Sequence, residues 1–183
     1  NASNYGFKNL HISIFYMKNK IKSFFKIKKF INKKIFFLEE KKPMGTIGAL
    51  SLIKSITNNF IVLNCDVVSN ADLKELYDSH FKSKCLMTVS IKKIKFQNPY
   101  GTIISKGKKL ISIKEKPNLN LDINAGVYAF NKKVIQIIKK NKINNVDELI
   151  NYLVLKKKKI NIFHMVEKWQ DFGQDIETLK KYN

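Results

Sequence analysis

The sequence contains no arginine, and all 35 of its basic residues are lysines. Proteins that read nucleic acid usually rely on arginine for bidentate contacts to bases and phosphates, and they cluster their positive charge. The lysines here are spread over every segment, so the formal charge of +21 indicates a solvated surface and not a nucleic-acid-binding face. A nucleic-acid-binding module is an alternative that rests on net charge alone.

Cysteine and long apolar runs are also scarce. Cys65 and Cys85 have neither metal-knuckle nor CxxC spacing, and we expect each to lie in a core strand, in a reducing compartment. No apolar run approaches the roughly 20 residues that span a bilayer, and no signal peptide is evident. These absences predict a cytoplasmic protein with no membrane partner. Because the chain starts with Asn1 and a strand pattern follows almost at once, we expect it to be part of a longer protein.

The chain is long and apolar enough to form one hydrophobic core, since 44% of its 183 residues are hydrophobic. No break in composition indicates a second domain. In the first half, strand-like and helical hydrophobic patterns alternate. Strands are predicted at Leu10–Ile14, Ile35–Leu38, Phe60–Asp66 and Cys85–Ile91. Helices are predicted at Met17–Lys28, over Leu50, Ile53 and Ile56, and after a cap at Asn70. This alternation predicts an α/β domain with a mostly parallel sheet and helices on both faces.

The second half departs from this alternation. Two strand-like runs, Asn98–Ser105 and Leu110–Pro117, are joined by Lys106–Lys109 and predict an inserted hairpin. A further strand, Asp122–Phe130, contains Gly126, which indicates a bulge or a close ligand. The remaining predicted elements are helices Lys132–Lys140 and Val146–Leu155 with Asn145 as the cap of the second, strand Ile160–His164, a turn at Trp169–Gly173 and helix Ile176–Lys181.

Two features of the first half predict ligand chemistry. Strand Phe60–Asp66 stops on a carboxylate, and ligands in open α/β sheets bind beyond the carboxyl ends of strands, where such a group can hold a metal ion against a phosphate. Alternatively, Asp66 caps the next helix or turn. Gly45 and Gly48 open a helical pattern and would let a ligand approach the backbone. Tight-turn geometry explains these glycines equally well.

Six motifs in order resemble those of the sugar-1-phosphate nucleotidylyltransferases, most closely the mannose-1-phosphate guanylyltransferase-like branch. They are Pro43–Leu50, Val62–Asp66, Pro99–Gly101, Glu115–Pro117, Asn124–Tyr128 and Trp169–Gly173. The resemblance runs from Gly6 to the end of the chain. It implies a Rossmann-like nucleotidyltransferase three-layer fold, with a mostly parallel mixed sheet and an inserted hairpin. It also implies transfer of a nucleotidyl group from a nucleoside triphosphate, with GTP favoured, to a sugar 1-phosphate, giving a nucleotide sugar and pyrophosphate.

The same resemblance assigns roles to individual residues. Asp66 and Asp171 correspond to the catalytic acids that bind Mg²⁺, and Lys116 corresponds to the catalytic lysine that pairs with the sugar phosphate. Gly45 and Thr46 would lie against the nucleotide base. The residues that correspond to the sugar pocket are Tyr100, Gly101, Glu115, Asn124, Ala125 and Gly126.

Taken from the residues alone, Glu115 and Lys116 could form a solvated charge pair, and Trp169 could be a core aromatic beside an inert turn.

The chain also departs from the family pattern. Residues 1–183 read as one nucleotidyltransferase domain that lacks the first strand and the GGxGTRL-type loop that holds the triphosphate, so we expect the isolated chain to be inactive. Cys65 stands where the family more often has glycine, and its side chain would crowd the nucleotide. A non-catalytic regulatory homologue that binds nucleotide sugar is the alternative function, and homo-oligomerisation is compatible with either.

Overall fold

The computed structural model describes residues 5–27 and 33–173. Within these residues the chain forms ten strands and four α-helices. The strands are β1 Asn9–Ile14, β2 Lys34–Glu39, β3 Asn59–Leu63, β4 Val67–Ser69, β5 Met87–Gln97, β6 Thr102–Lys106, β7 Lys109–Lys114, β8 Asn118–Asn131, β9 Ile160–Met165 and β10 Trp169–Asp171. The helices are α1 Lys18–Ile27, α2 Leu73–Ser83, α3 Lys133–Asn141 and α4 Val146–Leu155. The predicted helix Ile176–Lys181 and the end of the first predicted helix, Lys28, lie outside the described residues.

The central sheet has four strands in the order β3-β8-β5-β9. Strand β8 is antiparallel to both β3 and β5, whereas β5 and β9 are parallel. Three strands therefore share one direction and β8 opposes them, which gives the predicted mixed sheet. Strands β1 and β2 form a separate parallel pair connected through α1, as the predicted strand–helix–strand unit requires. The predicted hairpin is the antiparallel pair β6–β7.

Helices cover both faces of the central sheet because successive side chains of β8 point in opposite directions. Tyr128 and Phe130 join a core with buried side chains of α3 and α4, such as Ile138 and Leu149. On the other face, smaller β8 residues pack against α2 in a second core. The predicted three-layer α/β architecture is thus confirmed, with the sheet as the middle layer.

Several local predictions are wrong. The pattern over Leu50, Ile53 and Ile56 forms only a 3-10 helix, Gly48–Leu52, because Ile53 is already extended. Helix α2 is capped by Asp72 and not by Asn70, since the Asp72 carboxylate accepts hydrogen bonds from the backbone of Lys74 and Glu75. Asp66 does not cap this helix either.

The two cysteines do not lie in core strands as predicted. Cys65 is exposed in the turn after β3, and Cys85 is buried but precedes β5. Two three-residue strands also occur that were not predicted: β4 lies between the predicted strand Phe60–Asp66 and Asn70, and β10 lies within the predicted turn Trp169–Gly173. Such short strands exist only because each pairs with the other, and that pairing leaves no periodic signal in sequence. In the described part of the chain, no helix has the length and apolar character needed to cross a membrane.

Candidate active site

The antiparallel pairing of β4 with β10 brings the two predicted metal-binding acids together. Asp66 lies in the turn between β3 and β4, and Asp171 pairs with Val67 at the end of β10. The backbone N–H of Phe172 donates to the Asp66 carbonyl at 2.8 Å. The backbone of Gly173 lies between the carboxylates: a Cβ atom there would be 2.9 Å from Asp66 Oδ2 and 3.1 Å from Asp171 Oδ1. Two acids that are 105 residues apart in sequence therefore flank one glycine.

The donor set at this position fits a divalent cation. Carboxylate oxygens are the hard ligands that Mg²⁺ prefers, and Mg²⁺ usually takes only one or two of them while it keeps waters and binds phosphates. Among the described residues no group of three or more His, Cys, Asp or Glu side chains forms a closed metal cage. Asp66 is exposed, so a phosphorylated ligand could reach the pair. Asp66 and Asp171 are thus the residues that could hold Mg²⁺.

The β8 segment beside these acids is irregular. Val89 of β5 pairs with Tyr128, but Ile91 pairs with Asn124, so β8 bulges at Ala125–Val127. Gly126 has a φ of +69°, and a Cβ there would be 2.9 Å from Val67 Cγ2 and 3.2 Å from Asn64 Nδ2. Only glycine meets both conditions. The predicted bulge is confirmed, and the groups that approach Gly126 are side chains of the protein itself.

Asn124 is held in place by two hydrogen bonds around this bulge. Its Oδ1 accepts from the Gly126 backbone at 3.2 Å, and its Nδ2 donates to the hydroxyl of buried Tyr128 at 2.8 Å. Burial raises the pKa of the Tyr128 hydroxyl, the hydrogen bond from Asn124 opposes that rise, and the charge of Asp66 adds to it. The charge of Asp66 thus acts on the tyrosine that holds Asn124.

Trp169 connects the two parts of this region. Its Nε1 donates to the carbonyl of buried Ala125 at 2.8 Å, and its ring packs against the core under α2. This hydrogen bond ties β10, and with it Asp171, to the β8 bulge. Sequence patterns indicated only an aromatic residue near a turn, because the partner carbonyl lies 44 residues away.

The remaining predicted sugar-pocket residues form a second group at the hairpin. A Cβ at Gly101 would be 3.0 Å from Glu115 Oε2, so Tyr100–Gly101 lies against Glu115. The side chain of Asn98 shapes this turn by accepting from the Tyr100 backbone at 3.0 Å. Lys116 adopts a left-handed φ of +40°, an unusual conformation for a residue with a side chain.

Glu115 and Lys116 are both exposed, and in the part of the chain that the structure describes they do not form an ion pair with each other, so the alternative of solvated charges stays a prediction. No hydrogen bond or ion pair between described residues joins the hairpin group to Asp66, Asp171 or Asn124. Strand β8 carries the chain from Asn118 to Asn124, roughly 20 Å at the rise of an extended strand. The structure therefore places the predicted site residues in separate groups and does not bring them into one pocket.

Gly45 and Thr46 form a third group at the start of α4. The space that a Cβ at Gly45 would need is filled by Asn145 Oδ1 and the Asn144 carbonyl, and Gly45 has a φ of +69°. Thr46 Oγ1 accepts from the backbone N–H of Val146 at 3.0 Å. The glycine thus serves the packing of the chain on itself, as the turn-geometry alternative anticipated. The predicted contact of Gly45 and Thr46 with a base stays a prediction.

An α/β sheet with paired acids beyond a strand end is typical of domains that bind phosphorylated ligands. Comparison with known proteins defines the class more closely. Residues 1–180 match the profile of the family described as Nucleotidyl transferase. The chain is 31% identical over 186 residues to the bifunctional protein GlmU of Methanocaldococcus jannaschii, covering 95% of this chain and 43% of that protein.

A second relative is the mannose-1-phosphate guanyltransferase of Yarrowia lipolytica, 30% identical over 153 residues, which covers 79% of this chain and 42% of that protein. The crystal structure of HddC from Yersinia pseudotuberculosis matches all of this chain and 82% of that chain, with a TM-score of 0.71 and 21% identity. The complex of HddC with GMP-PN gives a TM-score of 0.70. The chain therefore belongs to the nucleotidyl transferase family, among the sugar-1-phosphate nucleotidyltransferases, as its ordered motifs predicted. It spans less than half the length of these curated relatives.

Proposed function

We propose that the protein carrying this chain transfers a nucleotidyl group from a nucleoside triphosphate to a sugar 1-phosphate and releases pyrophosphate. The observation that carries this proposal is the convergence of Asp66 and Asp171 on Gly173, beyond the carboxyl end of β3. Family membership supports the reaction class. In this reaction an oxygen of the sugar phosphate forms a bond to the α-phosphorus while the bond to the departing pyrophosphate breaks.

The main physical difficulty of this step is to hold two anions in line although they repel each other. Asp66 and Asp171 would hold Mg²⁺, which when bound neutralises charge on the phosphates. Lys116 is exposed and left-handed, and its ammonium would pair with the sugar phosphate. Glu115 and Asn124 would accept and donate hydrogen bonds to sugar hydroxyls. Because the hairpin and bulge groups are separate here, we expect the hairpin to move toward Asp66 when the sugar phosphate binds.

GTP is the nucleotide that we propose. One curated relative is named a guanyltransferase, and a solved structure of the same fold is complexed with GMP-PN. The 183-residue sequence contains no GGxGTRL-type motif, the loop that would supply backbone N–H groups to the triphosphate. We therefore expect turnover from the full-length protein and none from this chain in isolation.

The test incubates the full-length protein with each of the four ribonucleoside triphosphates and dTTP, each paired with a panel of sugar 1-phosphates, and measures pyrophosphate. We expect release with GTP and one or a few sugar 1-phosphates. Pyrophosphate from no pair would contradict the proposal. Tight binding of a nucleotide sugar in such a protein would support the non-catalytic regulatory role instead.

Asp66→Asn and Asp171→Asn each remove one charge from the proposed metal site while they preserve size. We expect either change to lower kcat by about a hundredfold or more with an unchanged melting temperature. Asp78→Asn is the matched control, because Asp78 forms a surface ion pair with Lys74 and such pairs contribute little. Near-normal turnover in either site variant would exclude the metal assignment.

A further inference from the structure

The β10 connector, defined here as residues 166–168, joins β9 of the central sheet to β10. Strand β10 does not continue the central sheet but pairs with β4. Asp171, one of the two proposed metal-binding acids, is the last residue of this short strand. The path of the connector beyond the end of β9 therefore helps to determine where the Asp171 carboxylate lies.

Lys92 of β5 binds the backbone of this connector. It pairs with Met165, the last residue of β9, and paired residues of neighbouring strands project from the same face of a sheet. The Lys92 side chain therefore lies where it reaches the chain just beyond β9. Its Nζ donates to the carbonyl oxygen of Val166 at 2.9 Å and to that of Glu167 at 2.7 Å. One ammonium group thus holds two consecutive carbonyls of the connector.

Lys92 differs from the solvated lysines beside it. It is half-buried, whereas Lys93 and Lys95 on the same strand are exposed. Lys92 forms no ion pair with any residue that the structure describes, so its charge is directed at the two carbonyls. Hydrogen bonds from a charged donor are roughly twice as strong as those between neutral groups. The connector is therefore held firmly at its first two residues.

The other contacts of the connector do not replace this anchor. Glu167 Oε1 accepts from the backbone N–H of Asp72 at 3.3 Å, but Oε2 of the same carboxylate is buried and has no hydrogen-bond partner within the described ranges. A buried acceptor without a partner lowers stability, so this side chain is a weak anchor. The Lys168 carbonyl accepts from the backbone N–H of Asn70 at 3.1 Å, which extends the pairing of β10 with β4. Lys92 is thus the main attachment of the connector to the central sheet.

We propose that Lys92 is a positioning residue, which holds the connector so that β10 presents the Asp171 carboxylate beside Asp66 for Mg²⁺. The inference rests on the proposed function, in which these two acids hold the metal ion. Mg²⁺ requires nearly octahedral geometry, so a small displacement of one carboxylate weakens its binding. Lys92 forms no hydrogen bond or ion pair with either described acid and acts through the backbone of the connector.

The experiment compares Lys92→Met with the parent in the full-length protein. Methionine keeps an unbranched side chain and removes the ammonium group. At saturating GTP and sugar 1-phosphate, we expect the Mg²⁺ concentration for half-maximal pyrophosphate release to rise about tenfold, as for other groups that orient metal ligands. In hydrogen exchange without Mg²⁺, read by mass spectrometry, residues 169–173 should exchange several times faster, while the melting temperature changes little.

Two further variants isolate the role of the ammonium group. Lys92→Arg keeps the charge and the N–H donors, so its Mg²⁺ requirement should stay within about threefold of the parent value. Lys93→Met is the matched control, because Lys93 is exposed and its side chain makes no hydrogen bond or ion pair with another described residue. It should leave both measurements unchanged. If Lys92→Met fails to fold, Lys92→Gln, which keeps a neutral donor, decides by the same two measurements.

The outcomes separate the inference from the proposed function. A parent protein that releases no pyrophosphate with any divalent metal ion overturns both. If the parent is active but Lys92→Met keeps its Mg²⁺ requirement, only the positioning role is overturned. Equal shifts in Lys92→Met and Lys93→Met would assign the effect to net charge and would also overturn it. The same holds if Lys92→Met lowers the melting temperature and accelerates exchange over the whole chain alike, because that indicates a general role in stability.

Discussion

The β8 bulge and the β6–β7 hairpin carry the two parts of the predicted sugar pocket, and the structure holds them by different means. At the bulge, Ala125 and Tyr128 are fully buried, Asn124 donates to the Tyr128 hydroxyl across the bulge, and the hydrogen bond from Trp169 ties the segment to the distant strand β10. At the hairpin, Tyr100 is 75% exposed and its turn is held by a local bond to Asn98.

This difference indicates that the predicted sugar pocket has a rigid part at the bulge and an adaptable part at the hairpin. Buried, bonded groups cannot move without leaving polar atoms unsatisfied, whereas an exposed two-stranded hairpin has little packing to lose. We therefore expect changes at the bulge to lower stability more than the corresponding changes at the hairpin.

The largest expected difference in stability between the two regions comes from replacing one glycine in each by alanine. Gly126→Ala adds a Cβ at a φ of +69°, only 2.9 Å from Val67 Cγ2, so we expect a loss of about 2 to 4 kcal/mol in the free energy of unfolding. Gly107→Ala in the hairpin has a φ of +58° and no atom within 4 Å of the new Cβ, so about 1 kcal/mol is expected. Urea denaturation of the full-length protein measures both. Equal losses would contradict the view that the bulge is the tightly packed region.

An intermediate effect is expected from the aromatic residues. Trp169→Phe keeps a ring but leaves the buried Ala125 carbonyl without the indole N–H, at a cost of about 1 to 2 kcal/mol. It should also lower kcat, because Asp171 lies on the same short strand. Tyr100→Phe removes an exposed hydroxyl from the hairpin and should change stability by less than about 0.5 kcal/mol. A destabilising Tyr100→Phe would show that the hairpin is packed more firmly than its exposure suggests.

The smallest expected effect is a dependence of stability on pH, and it originates in helix α2. His80 of α2 is buried, its Nδ1 lies 2.9 Å from Thr88 Oγ1, and burial lowers its pKa below 6.5. The unfolded chain therefore binds a proton at His80 before the folded one does. This contribution to stability is complete above about pH 6.5 and decreases as the pH falls below it.

His80→Gln should accordingly flatten the pH dependence of the melting temperature just below pH 6.5. The control is His164→Gln, which removes an exposed histidine from β9. A curve for His80→Gln that parallels the parent through this range would contradict a titrating role for His80.

The sequence predicted which residues belong to the candidate site but not how those residues are arranged. Asp66 and Asp171 were selected because six motifs occur in family order, and the pairing of β4 with β10 indeed places both acids against Gly173. Asn145 was predicted as a helix cap, which it is. Its bond to Thr46 had no local signal, because the two residues are 99 apart in sequence.

By itself, the sequence of this protein determined the class of its fold and most of its elements. Periods of two and of about 3.6 residues report which side chains a strand or a helix buries, and they are local properties of the chain. Only the tertiary structure decided the opposed direction of β8, the groups that pack against Gly126, the exposure of Cys65 and the pairing of β4 with β10. These features depend on contacts between residues that are tens of positions apart in sequence, and no periodic pattern in the sequence encodes such contacts.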